Sequence, residues 1–113
     1  RVFLGGYCQG GSMASLVFKD YPHPLGGFLL FSAAMPKSSK INPSQNATPV
    51  FWYHGSKDRV VPYNKAESLN RMLINGKRKI FHINLQNGDH KITEEINHKT
   101  KIFLERNLIR PRL

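Results

Sequence analysis

Apolar and polar positions along this chain fall into two alternating patterns. Short unbroken apolar runs form the first: RVFLGG (1–6), GGFLLFSAA (26–34), VFWYHG (50–55) and KIFHINL (79–85). Runs this short and continuous predict strands buried on both faces, near 1–5, 26–32, 49–54 and 79–85. Between them the spacing is helical. Met13, Leu16 and Val17 share one helical face, and the prolines of YPHP (21–24) end that helix because proline cannot continue it. Pro62 opens a second helix, with Ala66, Leu69 and Leu73 on one face and Asn75-Gly76 stopping it. A last helix is predicted from about Thr93 to Asn107, with Glu94 and Glu95 near its positive start and Lys101 and Arg106 towards its end. MPKSSKINPSQNATP (35–49) is a polar, proline-punctuated loop. Strands and helices taking turns predict an α/β fold with a mainly parallel sheet.

The first strand runs into the one cysteine of the chain, in Gly5-Gly6-Tyr7-Cys8-Gln9-Gly10-Gly11. Gly6 to Gly10 matches G-x-nucleophile-x-G between a strand and a helix. That turn is sharp enough to hold its central residue in a strained conformation with the side chain above the sheet. Gly6 and Gly10 are expected because a Cβ at either would collide with the neighbouring strand or helix, and Gly11 extends the close packing. A helix N-terminus favours negative charge, which lowers a thiol's pKa. The Gln9 N–H is expected to point at the oxyanion formed on attack.

Such a nucleophile needs an acid and a histidine, following it in that chain order. HGSKDRVVP (54–62) offers Asp58 just past a buried strand, and NGDHKI (87–92) offers His90 after the next one. All three residues fall at the carboxyl edge of the sheet, where open α/β folds bind ligands. His90 is expected to deprotonate Cys8 or pair with its thiolate, and Asp58 to fix the imidazole tautomer. Each has a rival reading. Asp58 could pair with Arg59 or Lys57 on the surface. Asp89 competes as the acid, although a direct neighbour of His90 is poorly placed to reach its ring. His54, at a strand end before glycine, reads as a second base or, preferably, as a structural hydrogen-bonding residue. His23, His82 and His98 have no partner at telling spacing.

Composition narrows the class. The chain has 113 residues, 40% hydrophobic and 11% aromatic, which suits one packed domain. No apolar run approaches the roughly 20 residues of a membrane span. A single cysteine excludes an internal disulfide and leans towards a reducing, cytoplasmic setting, with organellar import left open. Seventeen Lys and Arg against seven Asp and Glu give a net charge of +10. They are scattered except for Lys77-Arg78-Lys79, and no zinc-finger spacing or RNA-binding aromatic signature accompanies them. A solvated surface is therefore favoured over a nucleic-acid site. The chemistry read here calls for neither cofactor nor metal. Asn46-Ala47-Thr48 fits the glycosylation pattern but reads as an accident of a polar loop.

Taken together, GGYCQGGSMASLVF, LGGFLLFSAAMP, HGSKDRVVPYNKAESL and GDHKITEEI resemble the C-terminal half of the acyl-protein thioesterase and phospholipase/carboxylesterase family of α/β-hydrolases, over roughly residues 1–108. The resemblance implies a triad of Cys8, Asp58 and His90, an elbow framed by Gly6 and Gly10, and Gln9 as one oxyanion-hole amide. The family normally has serine where this chain has Cys8. Dienelactone hydrolases, a neighbouring group, carry a Gly-Tyr-Cys elbow with Asp and His. The family's N-terminal half, with the first strands, the second oxyanion donor and part of the acyl pocket, has no counterpart here. Residues 1–113 are thus expected to form a partial α/β-hydrolase domain, a fragment or one completed by a partner chain. Its first strand would then be an open edge beside an exposed apolar face. The implied function is an acyl hydrolase acting on acyl thioesters or activated esters, S-acylated proteins among them. The alternative is a catalytically inactive hydrolase-fold subunit of a larger assembly. The missing half, the serine-to-cysteine departure and the charge favour it; the retained acid and base spacing opposes it.

Overall fold

The continuous apolar runs become strands, and the two central ones are buried along nearly their whole length. The structure, a computed structural model, describes residues 2–34, 40–65, 80–85 and 88–108, with 81–85 described by their backbone. Strand β1 (Phe3–Tyr7), helix α1 (Gln9–Asp20), strands β2 (Gly27–Phe31), β3 (Val50–Gly55) and β4 (Ile80–Leu85), and helix α2 (Glu94–Leu108) follow in order. The strands form one sheet in the order β1-β2-β3-β4, each pair parallel. Gly5 lies opposite Leu29, Leu29 opposite Phe51, and Phe51 opposite Phe81. Every carboxyl end therefore reaches the same edge. β1 extends two residues beyond its expected end, which brings Cys8 directly after the last strand residue.

Strand side chains alternate between two core layers, as the period of two requires. Phe28, Leu30, Val50 and Trp52 pack with Ala14 and Phe18 of α1. Leu29, Phe51 and Tyr53 pack with Ile96 and Phe103 of α2. Phe18 stacks on Phe28 with ring centroids 4.2 Å apart. Each such fully buried side chain stabilises the fold by about 1.5–3 kcal/mol.

Helix α1 forms where expected but presents an unexpected face. Gly11, Ala14, Ser15 and Phe18 are buried, whereas Met13, Leu16 and Val17 are 64%, 43% and 47% exposed. The close approach of α1 to the sheet explains the choice. A Cβ on Gly11 would lie 2.5 Å from the Ala33 Cβ and 2.8 Å from the Gly6 carbonyl oxygen, so the first turn of α1 must turn its glycine inward. The helix ends at Tyr21, whose backbone is extended ahead of Pro22. Helix α2 has Glu94 and Glu95 in its first turn and Arg106 in its last, complementing the helix dipole.

The polar loop before β3 holds a 3₁₀ turn at Pro43–Gln45 and a fully buried glutamine. Gln45 Nε2 donates to the carbonyls of Tyr21 (3.0 Å) and His23 (2.6 Å). Its Oε1 accepts from the Leu25 N–H (3.2 Å) and the Thr48 hydroxyl (2.7 Å). The hydroxyl of Asn46-Ala47-Thr48 is thus committed to the interior. After Pro62, residues 63–65 are helical. Ala66, Leu69, Leu73, the Asn75-Gly76 stop and the Lys77-Arg78-Lys79 cluster lie outside the described residues. Among those described, no helix is long and apolar enough to cross a membrane.

Candidate active site

The site grows from three strand ends on one edge. Leaving β1, the chain turns at Cys8 with φ 55° and ψ −117°. Among the described residues only Cys8 and Ser32 have positive φ without being glycine. Such a conformation costs on the order of 1–3 kcal/mol and persists where its surroundings over-determine it. Here they do. The Cys8 N–H donates to the Phe31 carbonyl (2.9 Å), its carbonyl accepts from the Ser12 N–H (3.1 Å), and Ser12 Oγ donates to the Ala34 carbonyl (2.8 Å).

The glycine frame differs from expectation in one member. A Cβ on Gly6 would run into the Gly10 peptide, so Gly6 is sterically required. A Cβ on Gly10 itself would meet nothing within 4 Å. The second obligatory glycine is Gly11, pressed against Ala33 and Leu30. The exposed Gln9 begins α1, where its N–H belongs to the helix's unpaired amides. Cys8 is partly buried.

Asp58 and His90 are brought together. His90 Nδ1 donates to Asp58 Oδ2 at 2.7 Å. Asp58 is buried, and its Oδ1 accepts from the amides of Val60 (2.9 Å) and Val61 (2.8 Å). Burial pushes this carboxyl up, but the Val61 amide, the His90 ring and the Val60 amide together bring it below its ordinary value. A carboxylate can only accept, so Nδ1 is the donor in this contact, and Nε2 is the ring nitrogen not engaged by Asp58.

The rivals find other partners. Asp89 Oδ2 accepts from Arg59 Nε at 2.9 Å, and its Oδ1 accepts from the His90 backbone N–H at 2.7 Å. The Arg59 side chain and then the His90 amide hold the Asp89 carboxyl down at about 2. Arg59 thus pairs with Asp89 and leaves Asp58 to the imidazole. His54 is fully buried. Its Nε2 donates to the Val61 carbonyl at 2.6 Å and lies 3.4 Å from Asp58 Oδ2, while its buried Nδ1 has no hydrogen-bond partner among the described residues. It ties down the acid loop as a structural donor.

Two features escaped the sequence reading. Lys57 N–H donates to the Gly88 carbonyl (2.9 Å), joining the acid loop to the histidine loop, and a Cβ on Gly55 would strike that same carbonyl. The glycine after His54 is therefore a packing requirement. The second is Tyr7. Its hydroxyl donates to the His90 carbonyl at 2.9 Å, and its ring lies 5.0 Å from the His90 ring at a 38° tilt. Among the described residues no hydrogen bond joins the Cys8 thiol to His90; Tyr7 makes the connection between elbow and histidine loop. Beside His90 a cavity of about 550 Å³ is lined by Arg59, Val60, Asp89, His90 and Lys91.

A sequence profile of the phospholipase/carboxylesterase family matches residues 1–108. The chain belongs to that family. Among its relatives, acyl-protein thioesterase 1 of Eremothecium gossypii is 36% identical over 76 residues, 63% of this chain and 32% of that protein. Carboxylesterase SOBER1 of Arabidopsis thaliana is 32% identical over 72 residues, 60% of this chain and 32% of that one. The crystal structure of SOBER1 superimposes with a TM-score of 0.84 at 24% identity, covering 95% of this chain and 53% of the other. That likeness is one of fold, and the fold is the α/β-hydrolase one. This member of the phospholipase/carboxylesterase family spans about half the length of the SOBER1 structure, and its matched segments about a third of the two sequence relatives.

Proposed function

We propose that the protein is an acyl hydrolase of the thioesterase/carboxylesterase type, working through an acyl-enzyme on Cys8 with His90 as base and Asp58 as its orienter. The observation that carries this reading is a strained cysteine at a helix start, on the same sheet edge as a histidine whose Nδ1 is held 2.7 Å from a buried carboxylate. His90 Nε2 takes the Cys8 proton, and the thiolate attacks the acyl carbon. The oxyanion forms beside the Gln9 amide at the positive end of α1. The tetrahedral intermediate then expels the leaving thiolate or alkoxide, which receives the proton from His90. Water, deprotonated by His90, attacks the acyl-cysteine, releases the carboxylic acid and returns the proton to sulfur.

Thiol chemistry selects the substrate. Exchanging one thioester for another is nearly balanced, whereas making a thioester from an ordinary oxygen ester is uphill. Acyl thioesters and activated esters are therefore the substrate class, with S-acylated proteins a member of it. The same proposal holds that these strands belong to a larger fold. Its support is the open edge of β1, the outward apolar face of α1 and the half-length match to SOBER1.

The test is acyl capture on the complete protein. A short-chain acyl thioester is expected to leave one acyl group on Cys8, detectable by mass spectrometry, with turnover abolished in Cys8→Ala. His90→Ala is expected to slow both iodoacetamide alkylation and turnover. Slow, ordinary alkylation with no acyl-cysteine would instead make the chain a non-catalytic subunit.

A further inference from the structure

Tyr7 occupies the variable position of the elbow, directly before Cys8, and ends β1 half-exposed. Its side chain reaches across the sheet edge, and its contacts there are specific. They go to His90, across 83 residues of chain, through a hydrogen bond to the backbone carbonyl and a ring-on-ring contact. The two contacts act on different parts of His90: the hydroxyl holds its backbone carbonyl, and the ring lies against the imidazole. From the other side the imidazole is held by Asp58, and the loop is held by the Lys57 amide on Gly88. Tyr7 is thus the elbow's own grip on the base.

We infer that Tyr7 is a positioning residue: it sets where His90 Nε2 stands relative to the Cys8 sulfur. The inference rests on the proposed role of His90. Among the described residues no hydrogen bond from the thiol holds the imidazole, so beside Asp58 it is Tyr7, next to that thiol, that sets its approach to sulfur. The groups around Tyr7 also suit a steady donor. Burial and the nearby Cys8, Asp58 and Asp89 raise its phenol above the ordinary value, so it keeps its proton at neutral pH. A cation within about 6 Å of an aromatic face is attracted to it, so the ring also favours the imidazolium formed once His90 takes the thiol proton.

The test uses two variants of the complete protein. Tyr7→Phe keeps the ring and loses the hydroxyl; Tyr7→Leu loses both. Small misplacements of a reacting group cost up to about 10²-fold in rate. The expected result is a kcat loss of about 3- to 10-fold for Tyr7→Phe and about 10- to 10²-fold for Tyr7→Leu, with KM within about twofold. Tm should be nearly unchanged, since the side chain is 40% exposed. Iodoacetamide alkylation of Cys8 should slow in the same order. The proton NMR signal of the hydrogen-bonded His90 Nδ1–H should weaken in Tyr7→Leu as the loop loosens. Variants that keep wild-type kcat, alkylation rate and His90 signal would overturn the inference, as would losses that follow a lowered Tm. If the wild-type protein hydrolyses nothing, the functional reading fails separately. The alkylation rate and the His90 signal then still decide whether Tyr7 positions the imidazole.

Discussion

The Asp58 carboxylate is the most heavily engaged group at this edge: two amides on one oxygen, one imidazole on the other and a second imidazole close by. Asp58→Asn can present an N–H where His90 Nδ1 needs an acceptor, which favours the wrong tautomer. Its kcat is expected to fall by about 10⁴-fold, the scale at which such an acid matters in a triad. The same carboxylate links stability to pH. Its pKa is lower in the folded protein than the ordinary value of about 3.9, so its contribution is complete above that value and is lost as pH falls through the lower folded one. Denaturant midpoints should be flat down to about pH 5 and then drop, less steeply in Asp58→Asn. Asp89, also lowered, acts with the same sign, and Asp89→Asn isolates its share. The sharp turn at Cys8 and the pairing of Asp58 with His90 were legible in the sequence because a motif and a chain order place them. The parts played by Gly11 and Tyr7 were not. Which glycine collides depends on Ala33, and what Tyr7 touches lies 83 residues away.

Elements were more legible than their faces. Continuous apolar runs led to the strands because strands covered on both faces, as β2 and β3 are, tolerate little else. Helix α1 follows from its periodicity, but the Met13, Leu16 and Val17 face that the periodicity marks is not the one that packs. What decided the matter was the clearance between Gly11 and the sheet, a distance no hydrophobic pattern records. The loop before β3 hid more. Its polar composition gave no hint that Gln45 supplies two donors and two acceptor contacts to backbone and side chain from a fully buried position. Gln45→Ala should strand several of those partners without water and destabilise the protein by roughly 1–3 kcal/mol. A lowered denaturant midpoint with an unchanged slope is the expected signature. A loss below about 0.5 kcal/mol, as for an ordinary surface substitution, would contradict this role.

At the scale of the whole molecule, α1's exposed apolar face distinguishes a surface from an interface. Met13→Lys with Val17→Lys should be near neutral, within about ±0.5 kcal/mol, if water covers that face. If further polypeptide seats on it, as proposed, the complete protein should lose several kcal/mol, because two charges would be buried without partners. Thermal unfolding of the double variant separates the two outcomes. The hydrogen bond from Tyr7 to His90 carries a consequence in time as well as space. A ribosome working at about 5–20 residues per second delivers His90 roughly 4–17 s after the elbow has emerged. On the proposed mechanism, the nascent chain throughout that interval displays a cysteine whose base has not yet been made. On that mechanism the base arrives only with the His90 loop, and a chain that stalls before residue 90 lacks it.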